Sequence, residues 1–169
     1  VGADAARPDV LVPWQRATGG RVRLVNTYGL TETTIVATTW EASSQPLASD
    51  WRVLPIGRPL RNVSAYVLDS RLELMPVGVA GEICIGGLAV AREYLGDQEL
   101  TDTRFAPDPY LPGARLYRSG DRGIMRSTGE LEFIGRADYQ IKVRGVRIEL
   151  GEVEARLREF PGVVEAVAI

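Results

Sequence analysis

The 169-residue chain contains no histidine, so neither an imidazole base nor a histidine-ligated metal can carry chemistry within it. It has one cysteine, Cys84, and therefore no internal disulfide. A lone thiol in an apolar strand pattern suits a reducing compartment, which makes a cytoplasmic location the expectation. The same setting reads as a buried thiol, not a nucleophile. Charge of neither sign dominates: 20 basic against 22 acidic residues leave a net charge of −2, which offers nucleic acid no footprint. No run of eighteen apolar residues occurs and no signal peptide precedes the first predicted element, so no membrane partner is expected. The chain starts at Val1, and Ile169 closes the apolar run VVEAVAI, so both ends look cut from something longer.

What is present is globular in texture, 45% hydrophobic and 25% charged, enough for one sizeable core or two small ones. Residues 1–50 read as α/β. VGADA looks like a strand end, and Pro8 to Ala17 presents Val10, Leu11 and Trp14 on a helix that Gly19-Gly20 terminates. RVRLVNTYG reads as a strand running into a glycine turn, where parallel sheets put their ligand-binding loops. TETTIVATTW fits either a short helix or an extended β-branched segment. After the polar connection SSQPLASD, the texture changes to short strands: SAYVLD, GEICIGG, RLYRSGD, GIMR and ELEFIG. Turn signals at Pro76-Val77-Gly78 and Ser127-Thr128-Gly129 separate them, which suggests a small distorted barrel or sandwich. One helix interrupts this region near Asp97 to Phe105.

The last patterned stretch is GRADYQIKVRGVRIELGEVE, residues 135–154. Tyr139, Ile141 and Val143 alternate with Gln140, Lys142 and Arg144; beyond Gly145, Val146, Ile148 and Leu150 alternate with Arg147 and Glu149. Two short strands are predicted. Leu150, Val153, Leu157 and Phe160 then mark one stripe of a helix, with Glu152 and Glu154 in its first turn and Pro161-Gly162 as its stop. Spacing alone is equally satisfied by a strand–strand–helix unit with a solvated charged face, on which Lys142, Arg144 and Arg147 are solvated or paired with Glu149.

Two stretches hold residue types suited to a nucleotide. In NTYGLTE (residues 26–32) a tyrosine face offers a platform for a purine, an asparagine amide can pair with an adenine edge, and Gly29 lets backbone come close. A hydroxyl and a carboxylate follow to meet phosphate and Mg2+. Taken alone, the same residues also make an ordinary loop and helix cap. In LYRSGDRG, Asp121 after a glycine turn can accept both hydroxyls of a ribose, or can simply close an Asx-turn.

Residues 135–154 resemble the hinge-and-core motif of adenylation domains from nonribosomal peptide synthetases, written G-R-x-D-x-Q-V-K-I-R-G-x-R-I-E-L-G-E-I-E, with aliphatic swaps at Ile141, Val143 and Val153. NTYGLTE resembles that family's N-x-Y-G-P-T-E, with Leu30 in place of proline. GEICIGGLAVAREYL resembles G-E-L-x-I-x-G-x-G-V-A-R-G-Y-L, with Ala89 and Glu93 for glycines. LYRSGDRG resembles Y-[RK]-T-G-D-L, with Ser119 for threonine and Arg122 for leucine.

The resemblance implies an acetyl-CoA synthetase-like fold: the end of an α/β core (residues 1–50), a small distorted β-barrel (51–137), then the start of an α+β C-terminal subdomain (138–169). It places Asn26 and Tyr28 at adenine, Thr31 at the α-phosphate region and Glu32 on Mg2+, with Thr31 and Glu32 as the catalytic pair. Asp121 becomes a ribose ligand, and Arg136 a second ribose or phosphate contact. Gly2, Thr27, Ile35 and Val36 line the amino-acid pocket, and Asp138 is the hinge. GEICIGGLAVAREYL is assigned scaffold and no chemistry, and leucine at position 30 leaves its loop less rigid than proline does.

The implied activity joins an amino acid to ATP as an aminoacyl-adenylate and passes the acyl group to the phosphopantetheine thiol of a carrier domain, beside neighbouring synthetase domains in antibiotic biosynthesis. The family's phosphate loop, amine-binding aspartate and terminal lysine are absent from these residues, so the piece alone is expected to be inactive. Two rivals remain. An acyl- or aryl-acid ligase of the same superfamily is disfavoured by QIKVRGVRIELGEVE, and a non-catalytic remnant by retained Tyr28, Thr31, Glu32, Asp121 and Arg136.

Overall fold

Pro8 opens the first element of the computed structural model, which describes residues 6–42, 53–136, 141–143, 146–148 and 150–168. A 3-10 turn, Pro8–Val10, runs into helix α1 (Leu11–Thr18), which Gly19 ends in the left-handed region at φ 57°. That is the C-cap the Gly19-Gly20 pair predicts. Leu11 packs on a small core of Ala6, Leu24, Trp40 and Leu54.

Strand β1 (Val25–Tyr28) pairs with β2 (Thr38–Glu41), and β2 with β3 (Arg58–Pro59), all antiparallel. The glycine turn after Tyr28 therefore leads to an antiparallel partner, not the parallel one the sequence suggests. Both alternatives for TETTIVATTW are realised in series: a 3-10 turn at Thr31–Thr33, then β2. Positive φ at Thr34 and Ile35 reverses the chain between them, so the β-branched residues fold back onto β1.

The larger sheet is built from β4 (Val63–Leu68), β5 (Ala80–Gly87), β6 (Phe105–Pro107), β7 (Arg115–Met125) and β8 (Leu131–Arg136). Its order is β4-β5-β7-β6, with β8 also on β7, and every pairing is antiparallel. RLYRSGD and GIMR are thus one strand, not two. Gly120 (φ 73°) and a register shift between Arg122 and Gly123 bend it without breaking it. A Cβ on Gly123 would lie 2.6 Å from Ile83 Cδ1 and 2.7 Å from Glu132 O, so close packing explains that glycine and a turn does not.

Helix α2 (Gln98–Arg104) precedes β6, capped by Asp97 Oδ1, which accepts from Leu100 N–H at 2.9 Å. Leu131 N–H donates to Gly57 O at 2.8 Å and joins the two sheets. Beneath that joint lies the main core: Ala37, Ile56, Val67, Ile83, Ile85 and Leu131, each less than a tenth exposed. The fold is mixed α/β with antiparallel sheets. Among the described residues no pairing joins β4 to β6 or β8, so the sheet stays open and the expected barrel is not closed.

A hairpin follows, β9 (Ile141–Val143) against β10 (Val146–Ile148), then helix α3 (Leu150–Arg158), the strand–strand–helix order that periodicity predicts. The helix stops at Arg158, so Phe160 lies past it and is 65% exposed. No helix among the described residues is long and apolar enough to cross a membrane. Gly2, Asp138, the VGADA segment and the 43–50 connection lie outside the described residues.

Candidate active site

Two buried carboxylates define the site, each delivered by a different kind of local structure. Asp121 sits in β7 directly across from Arg136 in β8. Their side chains meet as a cross-strand ion pair, Arg136 Nη1 to Asp121 Oδ1 at 2.5 Å, with the arginine side chain 11% and the aspartate 4% exposed. Arg136 Nη2 also donates to Ser119 O at 3.3 Å, and Tyr28 from β1 donates its hydroxyl to Asp121 Oδ2 at 2.7 Å. Burial first, then the Asp121 charge, pushes the Tyr28 phenol well above its ordinary pKa, so it remains a protonated donor.

The bend that aims Asp121 is itself held. Ser119 Oγ donates to Ile83 O at 2.5 Å and accepts from Asp121 N–H at 3.0 Å. Glu82 accepts from Gly120 N–H at 3.0 Å and forms an ion pair with Arg118 at 2.7 Å. Ser119 thus keeps a hydroxyl at the position where the resembled motif has threonine. Gly120-Asp121 lies mid-strand, so neither the expected glycine turn nor an Asx-turn occurs there.

Glu32 lies in the Thr31–Thr33 turn and is 6% exposed. Its Oε1 accepts from Tyr94 Oη at 2.6 Å and from Tyr117 Oη at 2.9 Å, and the two hydroxyls are 3.1 Å apart. Tyr94 and Tyr117 flank Phe105, with ring centroids 5.4 and 5.1 Å from it. Leu30 fills the same cluster at 7% exposure, and its N–H donates to Thr33 Oγ1 at 3.0 Å. Leucine here is packed and hydrogen-bonded, which counters the expectation of a looser loop; proline would remove that donor. Burial, then the bond to Glu32, pushes the Tyr94 phenol far up as well.

The segment after Glu32 is strained. Thr34 and Ile35 have φ of 57° and 71°, rare for β-branched residues, and Val36 N–H closes a γ-turn onto Thr34 O at 2.8 Å. Such conformations store about 1–3 kcal/mol each and persist only where neighbours over-determine them. Those neighbours are present. Thr34 Oγ1 donates to Ala89 O at 2.7 Å, Ala91 N–H donates to Glu32 O at 2.8 Å, and Ile35 N–H donates to Leu30 O at 3.0 Å. Gly29 leaves the space: a Cβ there would come within 2.3 Å of Ile35 O.

Of the remaining candidates, Thr31 is exposed, Thr27 and Val36 are half-buried, and Ile35 is 77% exposed. Asn26 is inside, 3% exposed, and its Nδ2 donates to Pro55 O at 2.8 Å and Leu54 O at 3.5 Å. That amide is engaged in tying β1 to the segment before β3. No group of three or more His, Cys, Asp or Glu capable of holding a metal occurs among the described residues. One carboxylate plus phosphate oxygens is nonetheless a usual donor set for magnesium, and a carboxylate such as that of Glu32 is chemically suited to it.

A profile of AMP-binding enzymes matches residues 1–95, more than half of the chain. The chain belongs to the AMP-binding enzyme family. Among this family member's relatives, tyrocidine synthase 3 of Brevibacillus parabrevis is 46% identical over 169 residues, 100% of this chain and 3% of the relative. Gramicidin S synthase 2 of Brevibacillus brevis is 43% identical over 171 residues, 100% of this chain and 4% of the relative. The chain therefore spans a few per cent of the length of these curated relatives. Among solved structures, holo-PA1221, an NRPS protein containing adenylation and PCP domains bound to a vinylsulfonamide inhibitor, superposes with a TM-score of 0.87. It is 32% identical, and the match covers 97% of this chain and 28% of that one. The Vibrio cholerae adenylation domain AlmE, in complex with glycyl-adenosine-5'-phosphate, gives a TM-score of 0.78 at 32% identity, covering 94% and 29%. The chain is thus similar throughout to peptide-synthetase adenylation domains.

Sequence reasoning missed Tyr94 and Tyr117. Tyr94 is the second-last residue of GEICIGGLAVAREYL, read as scaffold only, and Tyr117 the second residue of LYRSGDRG, singled out for Asp121. The aromatic in each motif was the available signal. That both hydroxyls reach one carboxylate, 62 and 85 positions away, is not encoded in any spacing.

Proposed function

We propose that this family member is part of an amino-acid-activating adenylation domain of a nonribosomal peptide synthetase. The observation that carries the reading is the pair of buried carboxylates: Asp121 braced by Tyr28 and Arg136, and Glu32 braced by two tyrosines. Both lie in a chain 46% identical to tyrocidine synthase 3 along its whole length. Two fixed anionic positions on one frame suit a ligand with hydroxyls at one end and a metal-bound polyphosphate at the other.

In this reading Asp121 accepts the ribose hydroxyls and Arg136 holds its charge in place beside the phosphates. Tyr28 offers its ring to adenine while its hydroxyl orients Asp121, and Asn26 shapes the adenine side from within. Thr31 donates to the α-phosphate region. Glu32 would hold Mg2+, which when bound with ATP supplies charge neutralisation at the phosphates. Gly2, Thr27, Ile35 and Val36 border the amino-acid pocket, and Asp138 is the hinge between subdomains bounded at residues 50 and 137.

The reaction needs no protein nucleophile. A substrate carboxylate oxygen attacks the α-phosphorus, the bond to the bridging oxygen breaks, and pyrophosphate leaves. The carrier thiol sulfur then attacks the acyl carbon and AMP departs. Positioning and electrostatics carry both steps, which suits a chain with no histidine and one buried thiol. Neighbouring synthetase domains, a peptide product of the antibiotic class and a cytoplasmic setting complete the proposal.

Substrate-dependent ATP–pyrophosphate exchange tests it, measured on the whole protein that carries these residues. Exchange with one or a few amino acids, abolished by Glu32→Ala or Asp121→Ala, is the expected result. Exchange with fatty or aryl acids only would replace this reading with that of an acyl ligase.

A further inference from the structure

The tyrosines on Glu32 have more in common than a shared acceptor. Each hydroxyl is fixed by its ring: Tyr117 is fully buried, Phe105 lies between the two rings, and Arg115 sits over Phe105 at 5.2 Å. Both donate to the same oxygen, Oε1, from the β7 side and the 88–94 loop side. That loop is fastened to the turn bearing Glu32 by Ala91 N–H on Glu32 O and by Thr34 Oγ1 on Ala89 O. The carboxylate is therefore gripped along one edge by two donors, Tyr117 set by packing in β7 and Tyr94 by packing on Phe105 and by a loop tied to the turn that bears Glu32. A carboxylate held this way has one orientation, and partners that orient a metal's ligand govern its affinity by about 10–100-fold.

We propose that Tyr94 and Tyr117 are positioning residues for the Glu32 carboxylate and set how tightly the protein takes a divalent cation together with a nucleotide. The inference rests on the adenylation reading and adds two residues to it. In this proposal each tyrosine acts through Glu32, to whose Oε1 its hydroxyl donates. A merely structural hydroxyl affects nucleotide binding equally with and without metal, whereas a positioning hydroxyl affects the metal-dependent part alone.

The test is calorimetric titration of ATP into the whole protein, once with excess Mg2+ and once in EDTA. It uses the unaltered protein, Tyr94→Phe, Tyr117→Phe and the double variant, with Tyr66→Phe as the control. Tyr66 donates to Asp108 in the same sheet at 3.3 Å, away from Glu32. Phenylalanine keeps each ring and removes only the hydroxyl. The expected result is a loss of about tenfold in Mg·ATP affinity for the double variant, no change for ATP in EDTA, and no change in either for Tyr66→Phe. Mg·ATP affinity unaltered in the double variant, or an equal loss with and without metal, overturns the inference alone. If ATP binding to the unaltered protein ignores Mg2+, the adenylation reading itself fails and takes the inference with it. Tyr94→Phe, on a half-buried loop residue, keeps the test decisive should Tyr117→Phe fail to fold.

Discussion

Asp121 and Glu32 are alike in chemistry and burial, 3% and 6% exposed, yet the molecule holds them by opposite means. Asp121 is placed by strand register: its ion-pair partner is its cross-strand neighbour, and the bend that aims it is tied into β5 through Ile83 and Glu82. Glu32 is placed by a strained turn, and its hydroxyl partners come from a loop and from the far end of β7. A sheet fixes a side chain through many weak, redundant contacts. A turn fixes one through a few contacts that must all be present. The first site should fail with the whole sheet, and the second should fail locally.

The strongest challenge to that contrast is Arg136→Ala, which leaves the Asp121 carboxylate buried without its cation. Breaking such a pair costs about 3–5 kcal/mol, so equilibrium urea unfolding should show a single cooperative transition at much lower urea. A loss confined to Asp121 itself, without a lower global midpoint, would sink the sheet-held description. Leu30→Ala should follow in size, at about 2–4 kcal/mol from the lost contacts with Phe105 and Tyr117. Its signature is different. Amide hydrogen exchange should speed up from Gly29 to Val36 and in the 88–94 loop, while β5 and β7 stay protected. Uniform acceleration would erase the distinction between the two regions.

Tyr28→Phe links the two sites, since Tyr28 bonds to Asp121 while packing beside Leu30 and Tyr117. Losing one hydrogen bond to a buried charge should lower stability by about 1–3 kcal/mol. The pH dependence has a definite sign. With the folded phenol raised above its ordinary value of 10.0, the folded state keeps a proton that the unfolded chain releases. Its contribution is therefore complete below pH 10 and falls as pH rises beyond it. Urea midpoints followed upward through that pH should decline less steeply for Tyr28→Phe than for the unaltered protein. The smallest expected effect is at Cys84, which is fully buried in β5 with its thiol pushed up to about 12, first by burial and then by Glu82. It should resist alkylation in the folded protein and react on unfolding. Labelling that tracks the turn's local opening instead would show that the sheet and the turn move together.

Periodicity made several elements legible without coordinates. The β9–β10 hairpin and α3 follow from alternation giving way to helical spacing, and α1 from its apolar residues and the glycine pair. Helix α2 falls where a helix was expected, near Asp97 to Phe105, while its Asp97 cap shows only in the structure. The single long β7 was not legible, because Gly120 read as a turn and split RLYRSGD from GIMR, whereas in the structure Gly120 serves a bend and Gly123 a close contact. The antiparallel return of β2 was hidden for a related reason. It depends on positive φ at Thr34 and Ile35, where residue type argues against it and only surrounding contacts enforce it.

The sequence by itself determined the chemical inventory and its family. It ruled out histidine chemistry, offered Tyr28, Glu32, Asp121 and Arg136 in motif context, and marked the local elements that carry them. Those properties are local, written within a few residues of one another. Tertiary structure alone decided that Arg136 faces Asp121, that Tyr28 reaches across from the smaller sheet, and that Tyr94 and Tyr117 converge on Glu32. Convergence at that range depends on strand register and on packing around Phe105, and both are set only once the chain has folded.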